Sequence, residues 1–328
     1  MKQINWGIIG CGDVTEVKSG PAFSMIENSS LVAVMRRNAD KALDYALRHG
    51  VPKWYEDAEE LIYDPAVSAI YVATPPDSHA EYAIRAMKAG KPVYVEKPMA
   101  LNYRECEEMI SVSRQCSVPL FVAYYRRSLP GFLKVKELID NNEIGPVLSV
   151  NIQLIKEPSE EEKKGDLGWR INPGISGAGH FFDLGSHQLD YLDYLFGPIK
   201  SVTSEVKNVA GLYDAEDYVD AEFIFERGIQ ASGKWDFSGL GGENMDIIEI
   251  KGEKGQISFS TFDFVPVCLE NQNGRKEFDF PKPDHVQYYL IEQVVKSLQA
   301  LGESPSTGES AARTSKVMDM VVRSYYSK

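Results

Sequence analysis

The sequence predicts an α/β protein of two domains: a doubly wound parallel sheet over residues 1–123, then an α+β domain over 124–328 with a large, mostly antiparallel open sheet. Three observations lead there. Continuous apolar runs, Ala69-Ile70-Tyr71-Val72-Ala73 the clearest, alternate with helix-period segments through the first part of the chain. That is the rhythm of a parallel sheet covered on both faces. Two glycines, Gly10 and Gly12, break the chain directly after its first strand. From Val219 the apolar period changes to two, with Val219, Ala221, Phe223 and Phe225 alternating with polar residues, the pattern of half-buried antiparallel strands.

Bulk properties set the limits. The 328 residues are 43% hydrophobic and 25% charged, enough for sizeable cores. A formal net charge of -13 argues against a nucleic-acid or anionic-membrane partner, either of which asks for a basic surface. Cys11, Cys106, Cys116 and Cys268 form no Cys-x-x-Cys pair and read as thiols of a reducing compartment. No apolar run approaches the ~20 residues of a membrane span, and the amino terminus enters a strand at once, without a long apolar signal region. A cytoplasmic protein is expected.

Ile4, Trp6, Ile8 and Ile9 form the first strand, which ends in Gly10-Cys11-Gly12-Asp13-Val14-Thr15. The first two glycines of a Rossmann dinucleotide fingerprint are present; they allow a tight turn and let backbone amides approach a pyrophosphate. Thr15 replaces the third glycine, so looser helix–strand packing is expected there. The second strand, Leu31–Met35, runs into Arg36-Arg37-Asn38. An NAD site usually carries an acidic residue here, whereas two guanidinium groups suit a 2′-phosphate, so NADP is favoured slightly over NAD. Thr74-Pro75-Pro76-Asp77-Ser78-His79 breaks the next strand and caps a helix. His79 either contacts the cofactor or is a satisfied helix-start histidine. Val93-Tyr94-Val95 is a short strand running into Glu96-Lys97-Pro98. A lysine at the carboxyl end of a buried strand sits on the edge where open α/β sheets bind ligands, and there it can polarise an oxygen or transfer a proton. A solvated turn lysine is the plainer alternative.

Tyr124-Tyr125-Arg126-Arg127 marks the crossover, and a helix with Phe132, Val135, Leu138 and Ile139 follows. Ser159–Asp166 reads as a solvated loop. Gly174–Gly179 suggests backbone passing close to a ligand, or a flexible loop. The helix within Phe181–Phe196 is apolar around much of its circumference, yet Asp183, His187 and Asp190 fall at i, i+4 and i+7. A polar stripe on a buried helix is costly unless it lines a cavity. An aspartate one turn from a histidine can orient it as a general acid/base, or the pair is a structural hydrogen bond. Ile247–Ile250 and Gln256–Phe259 flank a Gly-Glu-Lys-Gly turn as a hairpin. One late helix shows Val286, Leu290, Val294 and Leu301. Another, from about Glu309 to Tyr325, is expected to dock, the first domain being one candidate surface.

With these pieces placed, the chain resembles the Gfo/Idh/MocA family of NAD(P)-dependent sugar and polyol oxidoreductases. The carriers are Gly10-Cys11-Gly12, Thr74–His79, Glu96-Lys97-Pro98, Tyr125-Arg126-Arg127, Trp169-Arg170 and Asp183-x-x-x-His187-x-x-Asp190. The resemblance implies that Lys97 lies between nicotinamide and substrate, before a cis proline. It implies that Asp183 and His187 bind substrate and move its proton. It places Gly10, Gly12, Asp13, Val14, Arg36, Arg37, Thr74, Pro75, His79, Glu96, Lys97, Arg126, Trp169 and Arg170 about the cofactor, and Lys97, Tyr125, Asp183 and His187 about the substrate.

The expected reaction is hydride transfer between nicotinamide and a secondary alcohol or ketone of a sugar, polyol or related small molecule, in a homo-oligomer, dimer or tetramer. Two alternatives share the architecture: a non-catalytic dinucleotide sensor, and a glycosidase that uses tightly held NAD for transient oxidation. No Tyr-x-x-x-Lys spacing occurs, which removes the short-chain dehydrogenase pattern, and the five histidines and four cysteines show no metal-ligand spacing.

Overall fold

In the computed structural model, which describes residues 2–327, six short strands follow one another with helices between them. They are β1 (Ile4–Ile9), β2 (Ser29–Met35), β3 (Lys53–Tyr55), β4 (Ala69–Val72), β5 (Val93–Val95) and β6 (Leu120–Val122). All pair in parallel, in the order β3-β2-β1-β4-β5-β6. Strand order reverses at β1, and a doubly wound sheet opens a ligand crevice at the carboxyl edge of such a reversal. The helices are α1 (Asp13–Val17), α2 (Ala22–Met25), α3 (Ala39–His49), α4 (Ala58–Tyr63), α5 (His79–Lys88) and α6 (Tyr103–Cys116). Asn38, Asp57 and Asn102 accept from backbone amides at the starts of α3, α4 and α6, which fixes where those helices begin.

The turn after β1 is tighter than the missing third glycine suggests. Thr15 is fully buried, its hydroxyl donates to the Gly12 carbonyl at 2.8 Å, and it accepts from the Gly12 amide at 3.0 Å. Tyr45 then donates to the Thr15 carbonyl at 2.8 Å. The close approach has moved to Gly20, where an added Cβ would lie 2.2 Å from the Thr15 carbonyl oxygen and 2.3 Å from the Tyr45 hydroxyl. Gly20→Ala is therefore expected to cost about 3 kcal/mol by overpacking. A urea midpoint equal to the parent's would contradict this.

The second sheet has eight strands: β7 (Val147–Ile155), β8 (Ile199–Lys207), β9 (Tyr218–Phe225), β10 (Gln230–Asp236), β11 (Met245–Gly252), β12 (Gly255–Phe259), β13 (Val267–Asn271) and β14 (Gly274–Phe278). Their order is β14-β13-β12-β11-β7-β10-β9-β8. Every pairing is antiparallel except β7 with β10. Val219, Ala221, Phe223 and Phe225 all face the core, as their period of two requires. The helices of this part are α7 (Pro130–Asp140), α8 (Glu160–Lys163), α9 (Pro173–Ser176) and α10 (Ser186–Phe196). Phe132, Tyr191 and Phe259 meet edge to face at 4.8–5.9 Å, and Phe181 meets Trp235 at 4.9 Å.

Two expectations are corrected here. The 159–166 stretch is not plain loop: Ser159 and Glu162 form a capping box that starts α8, and Glu162 pairs with His180 at 2.7 Å. Nor is 181–196 one α-helix, because Phe181–Gly185 forms a single π-helical turn ahead of α10.

The final elements are α11 (Tyr288–Leu298) and α12 (Gly308–Tyr326). Leu301 lies beyond α11 and is exposed, so it is not part of that helix's apolar face. The chain separates into two units: the part through Ser128 joined by Pro283–Ala312, and Leu129–Lys282 joined by the residues from Arg313 on. This differs from a single cut after residue 123. Thr307 bridges to Phe121, and Ala311 and Ala312 join the core of the first unit. Met318, Val321 and Val322 are buried in the second. No helix among the described residues is long and apolar enough to cross a membrane.

Candidate active site

In the first unit the carboxyl edge of the parallel sheet collects the glycine turn, Arg36, Thr74 and Lys97 from the ends of β1, β2, β4 and β5. Gly10 has φ +90°, and a Cβ there would lie 2.7–2.8 Å from Thr74 atoms, so only glycine fits. Gly12 is different. Its backbone is extended, and a Cβ would find nothing nearer than the Gly10 carbonyl oxygen at 3.9 Å. The protein's own packing does not require glycine at residue 12. The open space above the turn is the cradle a pyrophosphate needs. Asp13 is exposed and Val14 half-buried on the first turn of α1. Arg36 is half-buried and Arg37 exposed, and burial pushes the neighbouring Cys11 thiol up to about 11.

Lys97 is half-buried and follows a buried carboxylate. Glu96 accepts from the Tyr71 hydroxyl, from the Gln287 side-chain amide, and from the Lys97 backbone amide at 3.2 Å. Tyr71 also reaches Ser19 at 3.1 Å, and Tyr94 donates to the Gln287 amide oxygen at 2.9 Å. Burial and the Glu96 charge drive the phenol pKa values of Tyr71 and Tyr94 well upward, so both stay neutral donors. With these partners the Glu96 carboxylate fixes the backbone beneath Lys97. The Lys97–Pro98 peptide is cis.

His79 has the contacts of a satisfied helix-start histidine, the second of the two readings its position left open. Its ring is fully buried, with Nε2 2.7 Å from the Thr74 carbonyl and Nδ1 2.9 Å from the Pro98 carbonyl. Burial lowers its pKa against the pull of those two oxygens. It joins the Thr74 turn to the Lys97–Pro98 turn and offers no ring nitrogen to a ligand. Half-buried Thr74 and Pro75 stay at the edge, Thr74 held by the Ser78 hydroxyl at 2.9 Å. Tyr125 and Arg126 are buried on a 3₁₀ turn, the guanidinium 4.9 Å from the ring centroid.

In the second unit Trp169 and Arg170 occupy a 3₁₀ turn, with the guanidinium 4.5 Å from the indole centroid. Arg170 Nε lies 3.4 Å from Asp183 Oδ2. Asp183 sits on the π-helical turn, and His187 is buried on the first turn of α10, its ring nearly perpendicular to that of Phe262 at 6.0 Å between centroids. Asp190, third in the expected stripe, accepts from the Thr314 hydroxyl at 3.3 Å. The glycine-rich approach is also explained within the protein, because the Gly179 amide donates to both Glu216 oxygens at 3.0 Å. Sequence reasoning missed Gln287 and Glu216. Each lies far along the chain from its partners, and no local pattern marks it.

A glycine cradle at the reversal point of a parallel sheet, with a braced lysine two strand ends away, defines a dinucleotide-dependent oxidoreductase. Residues 4–124 match the model of the oxidoreductase family with NAD-binding Rossmann fold, and residues 132–258 match the GFO/IDH/MocA C-terminal domain. The chain belongs to the Gfo/Idh/MocA oxidoreductase family. It is 45% identical to Oxidoreductase P35 of Formosa agariphila over 97% of this chain and 98% of that one. It is 27% identical to the scyllo-inositol 2-dehydrogenase (NADP(+)) IolU of Bacillus subtilis over 97% and 95%. A solved levoglucosan dehydrogenase in complex with NADH superposes with a TM-score of 0.87 at 23% identity, covering 98% of this chain and 97% of that one, and shares the fold.

Proposed function

We propose that this protein oxidises a secondary alcohol of a sugar or polyol, or reduces the matching ketone, with NADP preferred over NAD. The observation that carries the reading is Lys97, held by the Glu96 brace on the same sheet edge as the Gly10–Gly12 cradle. The inositol dehydrogenase named above, a relative along nearly the whole chain, supports the substrate class. Bound nicotinamide would accept or supply hydride at the carbinol carbon. Lys97 donates a hydrogen bond to the substrate oxygen and stabilises negative charge developing there. His187 takes or gives the hydroxyl proton. Asp183, paired with Arg170, orients that histidine and accepts from a substrate hydroxyl. Tyr125 contributes to the substrate pocket, and Arg126, Trp169 and Arg170 border the cofactor.

The NADP preference rests on Arg36 and Arg37 where an NAD site carries a carboxylate. A screen of sugars and polyols with NAD⁺ and NADP⁺, followed by nicotinamide absorbance, tests both parts. Turnover is expected with at least one polyol or sugar, faster with NADP⁺. Arg36→Ala should raise the KM for NADP⁺ roughly ten- to hundredfold, the worth of a charge-assisted hydrogen bond. Cofactor that co-purifies and shows no net redox change while a glycoside is cleaved would overturn the proposal.

A further inference from the structure

The second unit's share of α12 grips the segment bearing Asp183 and His187 on both sides of its irregular turn. Downstream, Arg313 donates twice to the Asp193 carboxylate, at 2.9 and 2.6 Å, and Thr314 donates to Asp190. These contacts tie α10 to the first part of that share. Upstream, the Tyr326 hydroxyl in the last turn donates to Glu216, whose two oxygens both receive the Gly179 amide. Tyr325 adds a bond to the Asp214 carbonyl at 3.0 Å. Glu216 is fully buried, and burial pushes its carboxyl up to about 7. A Cβ on Gly179 would lie 2.4 Å from the Glu216 carbonyl oxygen, so the backbones pass too closely for any side chain there.

Between the two grips lies the π-helical turn Phe181–Gly185. Such turns are rare, occur disproportionately at functional sites, and persist where the surroundings over-determine them. If this one relaxed to α geometry, Asp183 would rotate about the helix axis relative to His187. We propose that Glu216 and Tyr326 are positioning residues: through Gly179 they hold the turn that presents Asp183 to His187. The inference deepens the function proposed above and rests on it for its catalytic consequence.

Two variants test it. Tyr326→Phe removes one hydroxyl, and Glu216→Gln keeps the shape but replaces an acceptor with a donor. Backbone amides 180–187 should exchange with deuterium at least about tenfold faster in both, as local opening becomes easier, while the amides of α7 exchange as in the parent. With the best polyol found, kcat should fall on the order of 10- to 10²-fold, with the KM for the dinucleotide unchanged, because geometry is lost and not cofactor binding. Parent-like exchange at 180–187 in both variants overturns the clamp. Faster exchange with unchanged kcat overturns the positioning role. A parent that turns over no sugar or polyol removes the function proposed above, and faster exchange still supports the clamp.

Discussion

Replacing Lys97 with alanine lowers kcat by about 10²–10⁴-fold, the usual worth of a positioned proton-transfer or polarising group, and leaves dinucleotide affinity near the parent's. The separation follows from where the residues sit. In the function proposed above the pyrophosphate and ribose ends of the dinucleotide are held by the Gly10–Gly12 turn and the end of β2, whereas Lys97 stands two strands from β1, at the end of β5. Its backbone is fixed on one side by Glu96 and on the other by Pro98, whose carbonyl meets His79. Removing the side chain therefore removes the ammonium without moving the turn that carries it. Lys97→Arg restores the charge but not the activity, because a planar fork cannot occupy the place of a compact ammonium. His187→Ala should lose kcat on the same scale. Steady-state rates and calorimetric titration with NADP⁺ check both. An unchanged kcat in Lys97→Ala would remove Lys97 from the chemistry.

Much of the first unit was legible because its signals are local. Ala69–Val72 reads as a buried parallel strand from four apolar residues alone, and all four are buried. Gly10 reads as a turn glycine because the steric demand for φ > 0 falls on one residue. The open sheet of the second unit announced itself in the alternation of β9. What stayed hidden depends on residues far apart in sequence. The parallel pairing of β7 with β10 has no turn to mark it, since α8, α9, α10, β8 and β9 lie between the two strands. Thr15 looked like a loss of packing, yet its hydroxyl bonds the Gly12 backbone and turns a missing glycine into a brace. Asp190 shares the α10 stripe with His187, and a pattern along one helix could not show Thr314 on another. Pro283–Ala312 carries ordinary helix periodicity, and nothing in that pattern names the partner it packs against.

Gln287 shows how far such a hidden residue can matter. It is buried just ahead of α11, donating to Glu96 and accepting from Tyr94, while its backbone amide bonds the Lys18 carbonyl at 3.1 Å. His285, two residues earlier, places a ring nitrogen against the Val17 carbonyl. One short segment thus joins the end of α1, which follows the glycine turn, to the carboxylate beneath Lys97. Gln287→Leu keeps the bulk and removes both polar partners. Glu96 retains Tyr71 and the Lys97 amide, but the buried Tyr94 hydroxyl loses its acceptor, and the combined cost should be about 3 kcal/mol. Activity should fall with it, because the backbone beneath Lys97 loses a brace. Gln287→Glu should be worse, because a second carboxylate would face Glu96. Urea unfolding of both variants reads the effect. Parent-like stability in Gln287→Leu would mean that the brace beneath the lysine is carried by Tyr71 and the backbone alone.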